Sequence, residues 1–353
     1  MKQLNNSESK KRIILGVETS CDDTSICILE VDGTEPKILS LNSYNQDFLL
    51  AKWGGVVPEL AARSHVKALP PLLEIGFKEA NISPDDITEV AVTTHPGLMG
   101  SLLTGINLAK TFALMKGLPI IPVNHLYAHL EAIHLTEKVS YPYLGLLVSG
   151  GHTAFWWVKG PNDMEVLGTT LDDAAGEAFD KGGKLMGVGY PAGKIIDELA
   201  VNGDRTKFPF PISLMKDRPG KMSYSGIKTS LRVKLQKMTP EEIKEEIPNL
   251  CASYQEAIVQ TLRVKAVEII EVILNQKAKT FDTPIVIGGG VACNSRLKTI
   301  MKESFKNVHV VKPLFCTDNA GMVAHWASRV PELKIDFPEC LSLDGRSRFV
   351  EKA

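Results

Sequence analysis

Two histidines four residues apart, His125 and His129, give the sharpest chemical signal in the sequence. At about 100° per residue an i,i+4 pair shares one helix face, so both imidazoles can reach a single metal ion. Two nitrogens are half a site. The best third ligand is Asp318, in Cys316-Thr317-Asp318-Asn319, because a carboxylate just ahead of a helical segment is partly freed from helical geometry. Three protein ligands leave a position open for substrate or water, as catalytic sites do. A structural histidine pair is the alternative reading of the same spacing.

A peptide-cleaving zinc site would need a Glu directly after the first histidine. Leu126 occupies that place, and Glu131 lies past His129 on another face.

Three turns have the composition of phosphate cradles, since glycines and small hydroxyl residues let backbone N–H groups approach an anion. They are Glu18-Thr19-Ser20-Cys21-Asp22-Asp23, Gly150-Gly151-His152 and Gly288-Gly289-Gly290. In the first, Asp22 and Asp23 could instead hold a divalent cation or orient a nucleophile. A glycine turn alone is usually only a turn, but three at strand ends of an α/β chain point to a ligand.

Two charged stretches remain. Residues 171–181 carry four carboxylates and Lys181, with Asp173, Glu177 and Asp180 at helical spacing. Such a row is a solvated face or, given the flanking alanines and glycine, a packed one whose acids could take ribose hydroxyls; Asp197 is a second candidate for that task. Residues 205–237 hold nine basic residues and one acid, Asp217, interleaved with Phe208, Phe210 and Tyr224. That composition tracks a phosphate backbone and stacks bases, or is a solvated basic surface.

The elements that must position these groups follow from the apolar pattern. A hairpin is expected with strands at 12–17 and 24–31, and a second at 143–149 and 153–159. This repetition points to a duplicated domain. A buried strand at 283–287 runs into the third turn, with a helix starting near Asn294. Helices are expected at 69–79, 101–116, 125–135, 195–201, 241–277 with a break at Pro248, and 320–329. Strands alternating with helices argue for an α/β fold. A polar stretch before Pro142 places a domain boundary near 135–142, giving domains at 12–135 and 136–345, with the helix 320–329 packing back on the first.

The chain has 353 residues, 44% hydrophobic and 23% charged, with a net charge of −1. This is ordinary globular usage, and any nucleic-acid contact must come from a local patch. The six cysteines show no C-x-x-C pair, so reduced thiols and a cytoplasmic location are expected. The lysine-bearing start has no apolar stretch of signal-peptide type, and no run approaches a membrane span.

Together these residues resemble the TsaD (Gcp/YgjD) family of tRNA N6-adenosine threonylcarbamoyltransferases. The matching motifs are GVETSCDDTS at 16–25, GGVVPELAARSH at 54–65, HPGLMGSLLTG at 95–105, NHLYAHLEA at 124–132, LLVSGGHT at 146–153, DDAAGEAFDK at 172–181, YSGIKT at 224–229, GGGVACN at 288–294 and CTDNAGM at 316–322. The resemblance implies an actin-like ATPase fold, as in sugar kinases and heat-shock-70 proteins, with two related ribonuclease-H-like domains around a nucleotide cleft. It implies transfer of a threonylcarbamoyl group from threonylcarbamoyl-adenylate to the N6 amine of the adenosine beside the anticodon, in tRNAs reading codons that begin with A. By motif position, His125, His129 and Asp318 would hold a divalent metal, iron before zinc. Leu147, Val148, Ser149, Gly150, Gly151, Asp180, Gly193, Asp197 and Asn294 would hold the adenylate, or ATP, ADP or AMP in its place. Implied partners are tRNA, a TsaB-like paralogue, a TsaE-like small ATPase and a TsaC-type enzyme that supplies the adenylate. This chain departs from the family pattern at Leu50, where many members carry histidine, at Gly182-Gly183, and at Ala192 and Lys194 around Gly193.

In the chemistry expected of these residues, the metal polarises the carbamoyl carbonyl, N–H groups of the 149–151 turn receive the leaving phosphate, and Asp22 deprotonates or orients the amine. Two competing classes remain. A small-molecule kinase of the same fold needs Mg²⁺ but no His-His-Asp metal, and an actin- or chaperone-like switch would hydrolyse ATP slowly without an acceptor.

Overall fold

The computed structural model describes residues 11–33, 35–213 and 218–349. The polar start up to Lys10, and Lys216 and Asp217 of the basic stretch, lie outside the described residues. The chain divides into two compact units, one formed by the residues up to 135 with those from 318 onward, the other by residues 136–317.

In the first unit, β1 (Arg12–Glu18), β2 (Asp23–Asp32) and β3 (Glu35–Asn45) form an antiparallel meander. β4 (Glu89–His95) and β5 (Ile120–Asn124) continue the sheet parallel to β1, giving the order β3-β2-β1-β4-β5. The expected hairpin is β1–β2. β3 to β5 go beyond the expectation, and β3 is hard to read because its edge position leaves a ragged burial pattern in place of strict alternation. β1 is buried on both faces. Ile13, Leu15 and Val17 join a core with Leu69 and Leu72 of the helix Pro58–Ala80 and Leu102 and Ile106 of the helix Met99–Lys116. On the other face, a Cβ on Gly16 would stand 2.7 Å from the Ala320 carbonyl oxygen and 2.9 Å from Ala324 Cβ. Glycine here lets the helix Ala320–Arg329 lie directly on the strand, which brings Asp318 against the carboxyl end of β1.

In the second unit, β6 (Tyr143–Val148), β7 (Thr153–Gly160) and β8 (Asp163–Thr170) repeat the meander. The two-residue β9 (Lys221–Met222) borders β8, while β10 (Ile285–Gly288) and β11 (Val308–Val310) run parallel beside β6. The order β11-β10-β6-β7-β8-β9 is the first sheet's arrangement with one edge strand added, so the two units are built on one plan.

Two helix expectations are corrected. The helix expected at 69–79 starts at Pro58 and passes through Pro70 and Pro71. The break expected at Pro248 does not occur, because Pro240–Glu268 is one helix. A proline in a helix removes the bond to the carbonyl four residues back. Here those carbonyls belong to Val66, Lys67 and Lys244, all on exposed residues where water can replace the lost donor. Among the described residues, no helix is long and apolar enough to cross a membrane, and all six cysteines are free.

Candidate active site

The helix His125–Glu131 follows β5 and is buried along its whole length. It starts where it does because the Asn124 side chain accepts hydrogen bonds from Leu126 N (3.0 Å) and Tyr127 N (3.4 Å). Asp318 precedes the helix Ala320–Arg329, whose start Asn319 caps through Met322 N at 3.0 Å. These two caps bring together the three expected ligands. His129 Nε2 stands 3.0 Å from Asp318 Oδ1 and His125 Nε2 stands 3.5 Å from the same oxygen. One ligand atom from each residue lies within 4.8 Å of the others. The two histidine-to-aspartate separations are of the size that ligands of one ion keep, so the three side chains converge as a shared metal requires.

The surroundings favour a cation as well. Glu18, at the carboxyl end of β1, is fully buried and accepts from Ser20 N and Thr93 Oγ1, both at 2.5 Å, with His125 Nδ1 3.2 Å from its Oε2. Burial works against a charged His125, but Asp318 and Glu18 together lift its pKa to about 9. His129 is held below the usual histidine value by burial and by the neighbouring His125. Burial raises Asp22 to about 6 and Asp23 to about 8, each with a further push from Asp318. A pocket that draws a proton onto an imidazole to balance buried carboxylates is one in which a divalent cation can take the proton's place.

Sequence reasoning missed Glu18 and His65 as parts of this site. His65, on the helix Pro58–Ala80, is fully buried, with Nδ1 2.7 Å from Thr24 Oγ1 and Nε2 3.0 Å from the Cys21 carbonyl oxygen, so it pins the turn that carries Asp22. Asp23 is held separately, by Asn45 Nδ2 at 2.7 Å. The signal for both missed residues was available in principle, since each lies inside a motif, but only the fold shows what they touch.

The expected adenylate residues all lie in the second unit. The turn after β6 is closed by Ser149 N donating to the His152 carbonyl at 2.8 Å. Below it starts the helix Ala175–Met186, whose Gly176 N donates to the Ser149 carbonyl at 3.2 Å. A Cβ on Gly289 would come within 2.4 Å of the Val148 carbonyl oxygen, so the 288–290 loop packs on the same turn. The second and third turns are therefore joined, while nothing would stand within 4 Å of a Cβ on Gly150 or Gly151. Both glycines are exposed, with Gly150 resting on the helix start at Gly176. Leu147 and Val148 are buried in β6 and hold the turn from below.

The remaining members do different jobs. Asp180 accepts from Ala192 N at 2.7 Å and so fixes the start of the helix Ala192–Ala200, where Gly193 also faces open space. Asp197 accepts from Ser295 N (2.9 Å) and Oγ (2.7 Å) and lines a cavity of about 560 Å³ with Gln255, Glu256, Arg205 and Arg296. Asn294 is buried, caps the helix Ser295–Ser304 through Leu297 N at 2.9 Å, and donates to Gln255 Oε1 at 2.7 Å.

One charged-stretch expectation is corrected. Asp173 stands outside the helix and pairs with Lys181 and Lys228, each at 2.6 Å, and Lys181 also holds Glu177 at 2.6 Å. Those two acids are tied to lysines, which leaves Asp180 and Asp197 of the proposed ribose set. In the basic stretch, Tyr224 is buried, Phe210 packs edge-on against Tyr254 (5.9 Å), Lys234 lies over Phe208 (4.7 Å) and Lys207 pairs with Glu246 (2.6 Å). Phe208 and Phe210 are half-buried, so of the three rings Tyr224 is the one withdrawn into the core.

Comparison with known proteins places this geometry. The family model of TsaD, tRNA N6-adenosine threonylcarbamoyltransferase, matches residues 37–325. The chain belongs to this family. Proteins named tRNA N6-adenosine threonylcarbamoyltransferase are similar to it along nearly their whole length. The one from Thermosipho africanus is 45% identical over 318 residues, covering 88% of this chain and 92% of its own. The one from Bdellovibrio bacteriovorus is 43% identical over 324 residues, covering 88% and 91%. That from Rhizobium etli is 40% identical over 345 residues, covering 95% and 93%. Among solved structures, full-length HypF in its phosphate- and nucleotide-bound form aligns with a TM-score of 0.56 at 14% identity, over 96% of this chain and 47% of its own. Component A of the Acidaminococcus fermentans (R)-2-hydroxyglutaryl-CoA dehydratase gives 0.53 at 14%, over 90% and 98%. These likenesses give the fold, which is the actin-like ATPase fold expected from the sequence.

Proposed function

We infer that this chain transfers the threonylcarbamoyl group from threonylcarbamoyl-adenylate to the N6 amine of the adenosine beside the anticodon, in tRNAs that read codons beginning with A. The observation that carries this reading is the family match, which runs through both units and includes the His-His-Asp cluster and the glycine turn. His125, His129 and Asp318 would hold the metal; nitrogen and carboxylate donors suit ferrous iron, the favoured ion, and also zinc. A divalent ion there supplies a Lewis acid for the carbamoyl carbonyl.

The chain's own groups do the rest. N–H groups of Gly150 and Gly151 receive the phosphate, with the Ser149 N–H holding the turn closed, and the helix start at Ala175 adds its dipole. Asp197 takes the ribose hydroxyls at the edge of the cavity, and Asp180 and Asn294 hold the backbone that frames the nucleotide. Asp22, with a pKa of about 6, is ionised at neutral pH and accepts the proton released by the amine. The adenylate would come from a TsaC-type enzyme, and a TsaB-like paralogue and TsaE-like ATPase would complete the cycle in the cytoplasm.

The test is transfer of labelled threonine onto unmodified tRNA with the adenylate-forming enzyme and these partners supplied. Wild type should label the tRNA and His129→Ala should not. Equal labelling by both would make the histidine cluster structural, and absence of labelling by wild type would refute the reading.

A further inference from the structure

We propose that Glu18 is a positioning residue for the metal centre, holding the His125 ring so that Nε2 faces the ion. The inference rests on the reading of His125, His129 and Asp318 as metal ligands. The His125 ring lies between two carboxylates, with Glu18 Oε2 3.2 Å from Nδ1 and Asp318 Oδ1 3.5 Å from Nε2. A carboxylate that accepts the Nδ1 proton leaves the lone pair on Nε2, and it fixes the plane of the ring.

Glu18 is suited to this by its own fixation. It is fully buried at the end of the central strand of its sheet. Such a charge is tolerated only with its oxygens occupied by donors. Three converge on it: Ser20 N on Oε1, and Thr93 Oγ1 and His125 Nδ1 on Oε2. Two of these come from the turn after β1 and from β4, so the carboxylate is anchored to two adjacent strands while its third contact reaches the helix His125–Glu131. The Ser20 hydroxyl, 3.2 Å from the same Nδ1, supports the ring from one side. Replacing Glu18 by Gln keeps the shape but turns one acceptor oxygen into an N–H₂ donor facing existing donors.

The experiment titrates Co²⁺ into the metal-free full chain against a chromophoric chelator, for wild type, Glu18→Gln and Thr93→Val. Glu18→Gln should bind Co²⁺ about 10- to 100-fold more weakly, the range seen when an outer partner of a ligating histidine is lost. It should also shift the visible Co²⁺ band at saturation, while its metal-free unfolding midpoint falls because a buried donor then faces donors. Thr93→Val should weaken binding in the same direction and by less. Unchanged affinity and spectrum in a folded Glu18→Gln protein would overturn the proposal. If that variant does not fold, wild-type affinity in Thr93→Val overturns it. Failure of wild type to bind Co²⁺ would instead remove the metal reading itself.

Discussion

Substitution of Gly182 by Ala tests the packing that sets the second unit's helices. A Cβ at this position would stand 2.3 Å from Tyr254 Cε1 and 2.5 Å from Cζ. The ring cannot retreat: it is fully buried, its hydroxyl donates to the Ala178 carbonyl at 2.8 Å, and Phe210 packs on it edge-on at 5.9 Å. The helix Ala175–Met186 must therefore move by about 1 Å to restore ordinary contact near 3.4 Å. Overpacking of this kind costs roughly 3 kcal/mol at the upper end. Better helix propensity of Ala offsets about 1 kcal/mol. A net loss of about 2 kcal/mol should lower the unfolding midpoint by roughly 4–8 °C for a unit of this size. The assay is thermal and urea unfolding beside a Gly226→Ala control, where nothing stands within 4 Å of the new Cβ and stability should hold or rise. Asp180 rides on the same helix and holds Ala192 N, so adenylate affinity should fall together with stability. A Gly182→Ala protein as stable as wild type would refute the packing argument.

Asp197→Ala should weaken AMP binding by about 10- to 100-fold, because hydrogen bonds to a charged group are worth about 1.5–3 kcal/mol; calorimetry that returns the wild-type affinity would remove Asp197 from the nucleotide site. For Asp22, the ionised carboxylate is the working form, and burial lifts its pKa from 3.8 to about 6. Single-turnover transfer should therefore fall on acidification at a higher pH than an ordinary aspartate would give, burial keeping its part of the shift once a cation offsets Asp318. Asp22→Asn should abolish transfer with adenylate binding intact, and full activity in that variant would end the assignment.

The glycines that look like losses in the family pattern illustrate what sequence alone leaves unreadable. As residue types, Gly182 and Gly183 are only departures from bulkier neighbours. In the fold they are sites where a Cβ would meet Tyr254 at 2.3 Å and Ala192 at 2.1 Å, contacts made across 72 and 9 residues of chain. The carboxylate row at 173–180 shows the converse. Its acids were legible, but Asp173 stands ahead of the helix and its partner Lys228 comes from a distant one, which no spacing shows.

What the sequence by itself determined was whatever is local or repeated. The i,i+4 histidines, the helix start near Asn294, the two hairpins with small residues at the tips, and the glycine loop after a buried strand all depend on neighbours within a few residues. Those features suffice for the fold class, the duplication and the metal-ligand candidates. Tertiary structure decided everything that needs contacts across long stretches of chain. It joined Asp318 to His129 over 189 residues and the carboxylate of Glu18 to His125 over 107. It also buried Tyr224 of the basic stretch. Spacing fixes which face of an element a side chain occupies, but only the packed sheet and helices decide what that face meets.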